Sequence, residues 1–141
     1  EKGIRRCEQA HLPLGVISFD IDHFKRINDA NGHQTGDDVL IRIAEIARAQ
    51  ARASDLIGRM GGEEFVWLLP EAGPGETRNA AERLRQAIEQ ESCEGGLPPV
   101  TASVGYAMWR DGDDAGQLLA RVDAALYAAK QAGRNTVKKA A

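Results

Sequence analysis

A pair of adjacent glycines near the middle of the chain, Gly61-Gly62, limits the possible folds more than any other feature. The segments on either side, residues 55–60 and 64–69, both have strand character. Glycine takes positive φ freely, and a two-residue β-hairpin turn demands that conformation. An antiparallel hairpin is therefore expected here, with Pro70 ending its second strand. Helical patterns lie on both sides of it. Upstream, Val39, Leu40, Ile43, Ile46 and Ala47 form one apolar stripe on a helix expected over 36–51. Downstream, Ala80, Leu84, Ala87 and Ile88 do the same on a helix expected over 76–90.

The remaining segments fill in the order. Residues 15–20 form a short apolar run ending in an acid and read as a buried strand. A short helix over 22–30, with Phe24 and Ile27 on one face, is broken at Asn31-Gly32. A strand over 100–108, a helix over 117–132 ended by Gly133, and a last short strand over 135–138 complete the chain. Strand, helix, helix, strand, strand, helix, strand, helix, strand predicts an α+β domain. Its five-stranded sheet should be mostly antiparallel with helices packed on one face, a ferredoxin-like or palm arrangement.

The chain has 141 residues, which suits one domain spanning 1–141, with 43% hydrophobic and 28% charged residues, an ordinary soluble composition. Its net charge of -3 argues against DNA or RNA binding through a basic face. Cys7 and Cys93 have no metal-ligand spacing and read as reduced thiols. No apolar run approaches a membrane span, so this piece should make no membrane contact. Residues 1–10 look like the tail of a helix that begins upstream, so the chain is expected to be a trimmed piece. Neither a P-loop nor a dinucleotide-binding fingerprint occurs.

The chemistry concentrates in acids. Asp20 and Asp22 flank Ile21 at a strand end, and Glu63 and Glu64 follow the glycines. Clustered carboxylates repel unless a cation lies between them. Hard oxygens suit Mg²⁺, which commonly takes one or two protein carboxylates plus substrate phosphates. Taken alone, each acid pair reads as exposed loop residues.

The combination is more specific. Phe19-Asp-Ile-Asp-His-Phe-Lys-Arg-Ile-Asn28 is followed by Asn31-Gly-His-Gln-Thr-Gly-Asp37 and Arg59-Met-Gly-Gly-Glu-Glu-Phe65. Then come Thr101-Ala-Ser-Val-Gly105 and Asp123-Ala-Ala-Leu-Tyr-Ala-Ala-Lys-Gln-Ala-Gly-Arg-Asn135. In this order the blocks resemble the GGDEF family of diguanylate cyclases, in the GGEEF form of the signature, over nearly the whole chain.

The resemblance implies a nucleotidyl cyclase-like fold and the condensation of two GTP molecules into cyclic di-GMP and two pyrophosphates. Two Mg²⁺ per active site, with Mn²⁺ as a substitute, would be held by Asp20, Glu63, Glu64 and the carbonyl of Ile21. Gly61 and Gly62 form the signature turn. Glu63, Glu64 and Lys25 match catalytic positions, Glu63 helping to deprotonate the 3′-hydroxyl. Asn28 and Asp37 match the guanine-reading pair; a carboxylate accepts from the N1 and N2 donors of guanine, a pattern adenine lacks. Phe24, Lys25, Lys130 and Arg134 match phosphate-contacting positions. Read alone, Lys130 and Arg134 are a basic last turn that complements the helix dipole.

Arg52-Ala-Ser-Asp55 matches the family's inhibitory RxxD site for product, with Arg83 as a secondary contact. Alone, Arg-x-x-Asp would be a surface ion pair. His33 reads as loop-structuring, and His11 and His23 as surface residues. The resemblance further implies a homodimer of domains, an upstream sensory or dimerising module, and a cytoplasmic location, here as the cytoplasmic part of a larger sensor. Three alternatives stand beside the cyclase: a catalytically silent receptor for c-di-GMP, an enzyme for another nucleotide, and a protein–protein module that keeps only the fold.

Overall fold

A computed structural model describes residues 12–140. The expectations for residues 1–10, Cys7 and His11 lie outside the described residues. Five strands and four α-helices follow in chain order: β1 (Leu14–Ile21), α1 (Phe24–Asn31), α2 (His33–Gln50), β2 (Leu56–Gly61), β3 (Glu64–Pro70), α3 (Pro74–Glu91), β4 (Ala102–Met108), α4 (Ala115–Gln131) and β5 (Val137–Lys139). The sheet order is β2-β3-β1-β4-β5. All pairings are antiparallel except β4 with β5, which is parallel.

β1 is buried along all eight residues, as its apolar sequence requires of a central strand. Its side chains alternate between two cores. Ile17, Phe19 and Ile21 face one side with Phe65, Trp67 and Val104, packed under Val39, Ile43, Leu84 and Ile88 of α2 and α3. Phe19 and Phe65 stack there with ring centroids 5.1 Å apart. Leu14, Val16 and Val66 face the other side, where Leu118 and Val122 of α4 cover them. Helices therefore flank both faces, and the expectation of one helical face is corrected. The helix over 117–132 was legible, but which face it covers depends on the crossover from β4.

Helix boundaries follow local chemistry. Asp114 caps α4, accepting from the Gln117 amide at 2.8 Å, while the Gln117 side chain accepts from the Asp114 amide at 2.9 Å. α3 begins two residues before its expected start because Pro74 fits the first helical turn. α2 begins at His33, directly after Gly32 at φ 89°, so the Asn-Gly break is a single residue wide. β4 and α4 approach each other through bare backbone. A Cβ on Gly105 of β4 would lie 2.3 Å from the amide nitrogen of Leu126 in α4.

Candidate active site

Three elements converge at the C-terminal end of β1. Asp20 pairs across the sheet with Glu64 on β3 and with Ser103 on β4. The β2–β3 hairpin places its tip beside this strand end. The tip is shifted from expectation: Gly61 belongs to β2 and pairs with Glu64, so the turn residues are Gly62 and Glu63. The ladder slips between Arg59 and Gly61, which leaves Met60 as the extra residue of a bulge. Gly62 has φ 53°, and Glu63 is not left-handed, so one glycine at the first turn position suffices. Arg59 Nε donates to the Gly62 carbonyl at 2.6 Å and ties the tip down.

A cleft of about 420 Å³ lies there, lined by Asp20, Ile21, Phe24, Lys25, Glu63, Lys130 and Arg134 among others. The structure thus brings together seven of the residues singled out from sequence. Asp20 is 6% exposed. One of its oxygens, Oδ2, accepts from Lys130 Nζ at 2.5 Å. The other, Oδ1, is buried with no hydrogen-bond partner. Burial pushes the Asp20 carboxyl above the ordinary carboxylate range; Lys130 opposes the shift, and Glu63 and Asp22 add to it. An orphaned buried carboxylate oxygen, on a residue that lines a cleft with a second acid, is one a hard cation would satisfy. Among the described residues no three His, Cys, Asp or Glu side chains form a metal-holding group. The donor set therefore fits an ion that takes few protein carboxylates and completes its shell from main chain, water and phosphate.

Glu64 is placed differently from Glu63. It lies on the α4 side of the sheet, where Ser18 Oγ donates to its Oε2 at 3.3 Å. Burial first, then the Asp123 carboxylate, raises its pKa. Asp123 was quoted above within a motif but given no role; its place seven residues before Lys130, two turns along the same helical face, was the available signal.

Asp22 is not a free acid. Thr101 Oγ1 and Ser103 Oγ each donate to it at 2.6 Å, and the Asn135 amide donates at 2.9 Å. Its three donors leave it structural, although the Asp-Ile-Asp spacing made the two acids look equivalent. In the bend, His23 takes φ 56°, is exposed and lines the cleft.

Asn28 and Asp37 do not line this cleft. Asn28 packs on α2 so closely that a Cβ on Gly36 would lie 1.8 Å from its Oδ1. Asp37, next in sequence, opens onto another groove, of about 650 Å³, with Leu40, Ile41, Arg48 and Arg59. The groove is larger than the cleft, yet the buried Asp20 carboxylate, Lys25, Lys130 and Arg134 belong to the cleft. His33 is the exposed first residue of α2.

Arg52, Asp55 and Arg83 line a separate cavity of about 190 Å³ with Trp67 and Asn79. Asp55 has a fully buried side chain. It accepts from the Arg52 amide at 2.9 Å, from Arg52 Nε at 3.0 Å and from Trp67 Nε1 at 3.1 Å. Arg52 Nη2 also donates to the Pro70 carbonyl at 2.7 Å. Trp67 went unread as a partner because its apolar neighbours marked it only as core.

The sequence profile described as Diguanylate cyclase, GGDEF domain, matches residues 1–136. Diguanylate cyclase DosC of Escherichia coli (strain K12) is 37% identical over 141 residues, covering 98% of this chain and 31% of its own length. The bifunctional diguanylate cyclase/cyclic di-GMP phosphodiesterase MucR of Pseudomonas aeruginosa is 39% identical over 137 residues, 96% of this chain and 20% of that protein. The active GGEEF domain of a Vibrio cholerae diguanylate cyclase superposes with a TM-score of 0.93 at 33% identity, covering 99% of this chain and 90% of that one. The GGDEF domain of DgcB from Caulobacter crescentus, solved in complex with c-di-GMP, gives 0.91 at 32% identity, over 98% and 84%. The chain belongs to the GGDEF domain family of diguanylate cyclases. It spans less than a third of the length of the curated relatives named here.

Proposed function

We propose that this domain condenses two GTP molecules into c-di-GMP and two pyrophosphates. The observation that carries the reading is the cleft in which the orphaned Asp20 oxygen and Glu63 face Lys25, Lys130 and Arg134. Lys25, Lys130 and Arg134 supply positive charge for a triphosphate, joined by main-chain N–H groups where α1 begins at Phe24. Asp20, Glu63 and the Ile21 carbonyl would hold two Mg²⁺, or Mn²⁺ in their place, with Glu64 beside them. Bound there, the ions would supply charge stabilisation at the reacting phosphate and acidify the 3′-hydroxyl. Glu63 then accepts the hydroxyl proton, and the cationic side chains hold the leaving pyrophosphate. Asn28 and Asp37 read guanine at the larger groove.

One domain holds one nucleotide, so ring closure needs two domains facing each other. Each 3′-hydroxyl attacks the α-phosphate of the other nucleotide. The cavity at Arg52, Asp55 and Arg83 is proposed to take the product and restrain the enzyme, as the complex of the DgcB domain with c-di-GMP makes reasonable. The full protein would add a sensory or dimerising module and work in the cytoplasm. Among the described residues no helix is long and apolar enough to cross a membrane.

The test fuses the chain to a short parallel coiled coil and follows c-di-GMP and pyrophosphate from GTP and Mg²⁺. Glu63→Ala combined with Glu64→Ala is expected to lower the rate by about a thousandfold. GTP bound but not turned over by the paired domain, together with tight c-di-GMP binding, would replace the cyclase with a silent receptor.

A further inference from the structure

The loop that carries Arg134 into the cleft holds an unfavourable backbone. Gly133, Arg134 and Asn135 are three consecutive residues at positive φ, 108°, 65° and 43°. For Arg and Asn such conformations cost energy and persist only where surrounding contacts enforce them. Those contacts come from two other parts of the fold, the end of β1 and α3. Asp22, buried at the end of β1, accepts from the Asn135 amide at 2.9 Å and is itself fixed by Thr101 and Ser103. From α3, Arg85 Nη1 donates to Asn135 Oδ1 at 2.9 Å. Also from α3, Glu89 Oε2 accepts from Asn135 Nδ2 at 2.7 Å. Arg85 is oriented in turn by Glu82, which accepts from its Nε at 2.8 Å. Both ends of the Asn135 amide and its main-chain N–H are therefore used. Of these side chains only Asp22 lines the cleft; Arg85, Glu89 and Asn135 do not.

We propose that Asp22, Arg85 and Glu89 are positioning residues that clamp Asn135 and so hold the left-handed turn aiming Arg134 at the nucleotide's phosphates. The proposal rests on the reading of Arg134 as a phosphate contact. Arg85 is the informative member, because it acts from a helix outside the cleft and touches Arg134 only through Asn135. The clamp fixes a backbone conformation, so its effect belongs to ligands that carry the outer phosphates. It does not extend to the guanosine end, which lies toward α2.

The test measures equilibrium binding of GTPαS and of GMP, with Mg²⁺, to the parent chain and to Arg85→Ala, Arg85→Lys, Arg134→Ala and the double variant Arg85→Ala/Arg134→Ala. Arg85→Ala is expected to weaken GTPαS about tenfold, as loss of a supporting contact behind a ligand-binding group does. GMP affinity should stay within twofold of the parent, which also shows that the variant is folded. Arg85→Lys, which can still donate to Asn135 Oδ1, should recover part of the loss. In the Arg134→Ala background the Arg85 change should cost GTPαS less than twofold, the non-additivity expected of two residues acting as one unit. Equal weakening of GTPαS and GMP by Arg85→Ala, or a full tenfold loss in the Arg134→Ala background, would overturn the clamp. No loss from Arg85→Ala would overturn it as well. If Arg134→Ala alone leaves GTPαS affinity unchanged, the phosphate-site reading fails first and takes the clamp with it.

Discussion

The cleft at Asp20 and the cavity at Asp55 each centre on a buried aspartate, yet they are wired in opposite ways. Asp20 has one oxygen on Lys130 and one with no partner, beside further acids. Asp55 has its acceptors filled from within the chain by Arg52 and Trp67. The first leaves one buried oxygen without a partner from the protein, which the proposed cation would satisfy. The second is complete, so a ligand there must exchange contacts with Arg52 instead of filling a vacancy. Burying a carboxylate is costly in either case; at Asp55 the chain offsets the cost with three donors, and at Asp20 with Lys130 alone.

Three measurements break or sharpen this contrast. The largest effect belongs to Asp55→Ala, which strands the Trp67 donor and the Arg52 loop together. Loss of stability by about 3 kcal/mol is expected in urea unfolding, from hydrogen bonds to a buried charge. Arg52→Ala should cost only about 1 kcal/mol, since its side chain is 43% exposed. Similar losses for the two would show that Asp55 is not the structural centre of its cavity. Arg52→Ala is thus the cleaner probe of the proposed product inhibition, because Asp55→Ala would mix any ligand contact with folding.

Next in size is Lys130→Ala without metal. It leaves Asp20 buried with no counter-ion and should destabilise the domain by about 2 kcal/mol, less than a fully buried broken pair because Lys130 is one-third exposed. Millimolar Mg²⁺ should raise the melting temperature of this variant more than that of the parent. An equal rise in both would remove the case for a cation at Asp20.

The smallest effect concerns pH. Folding raises the Asp20 pKa, so the folded state binds that proton more tightly than the unfolded chain. Stability from this group is present below the unfolded value and is lost as pH rises through the folded one. Metal-free Asp20→Asn should therefore gain on the parent between pH 4 and pH 7, by a few degrees in melting temperature. A gap that shrinks over that range would mean the Lys130 contact outweighs burial.

The elements of the fold were legible wherever a pattern repeats. The stripes of α2 and α3 and the apolar run of β1 each name their own element, because periodicity and burial are linked. The face covered by α4 was not legible, nor was the one-residue shift of the hairpin turn, which comes from a bulge at Met60 that no local residue announces. In the site, Asp20 and Glu63 were found through their motifs. Asp22, named beside Asp20 but given no role, is held by Thr101, Ser103 and Asn135, which lie far along the chain. Residue spacing records which groups are neighbours on a strand and is blind to partners delivered by another one.

The close seat of α4 on Gly105 also bears on how such a domain can change over generations. The helix that carries Lys130 rests on backbone where even a methyl group has no room. The spacing between that lysine and Asp20 is therefore inherited together with the packing of the sheet. A lineage can revise its surface residues and the groove at Asp37 separately, but it cannot retune this charge pair by enlarging the residue beneath the helix without first moving the helix.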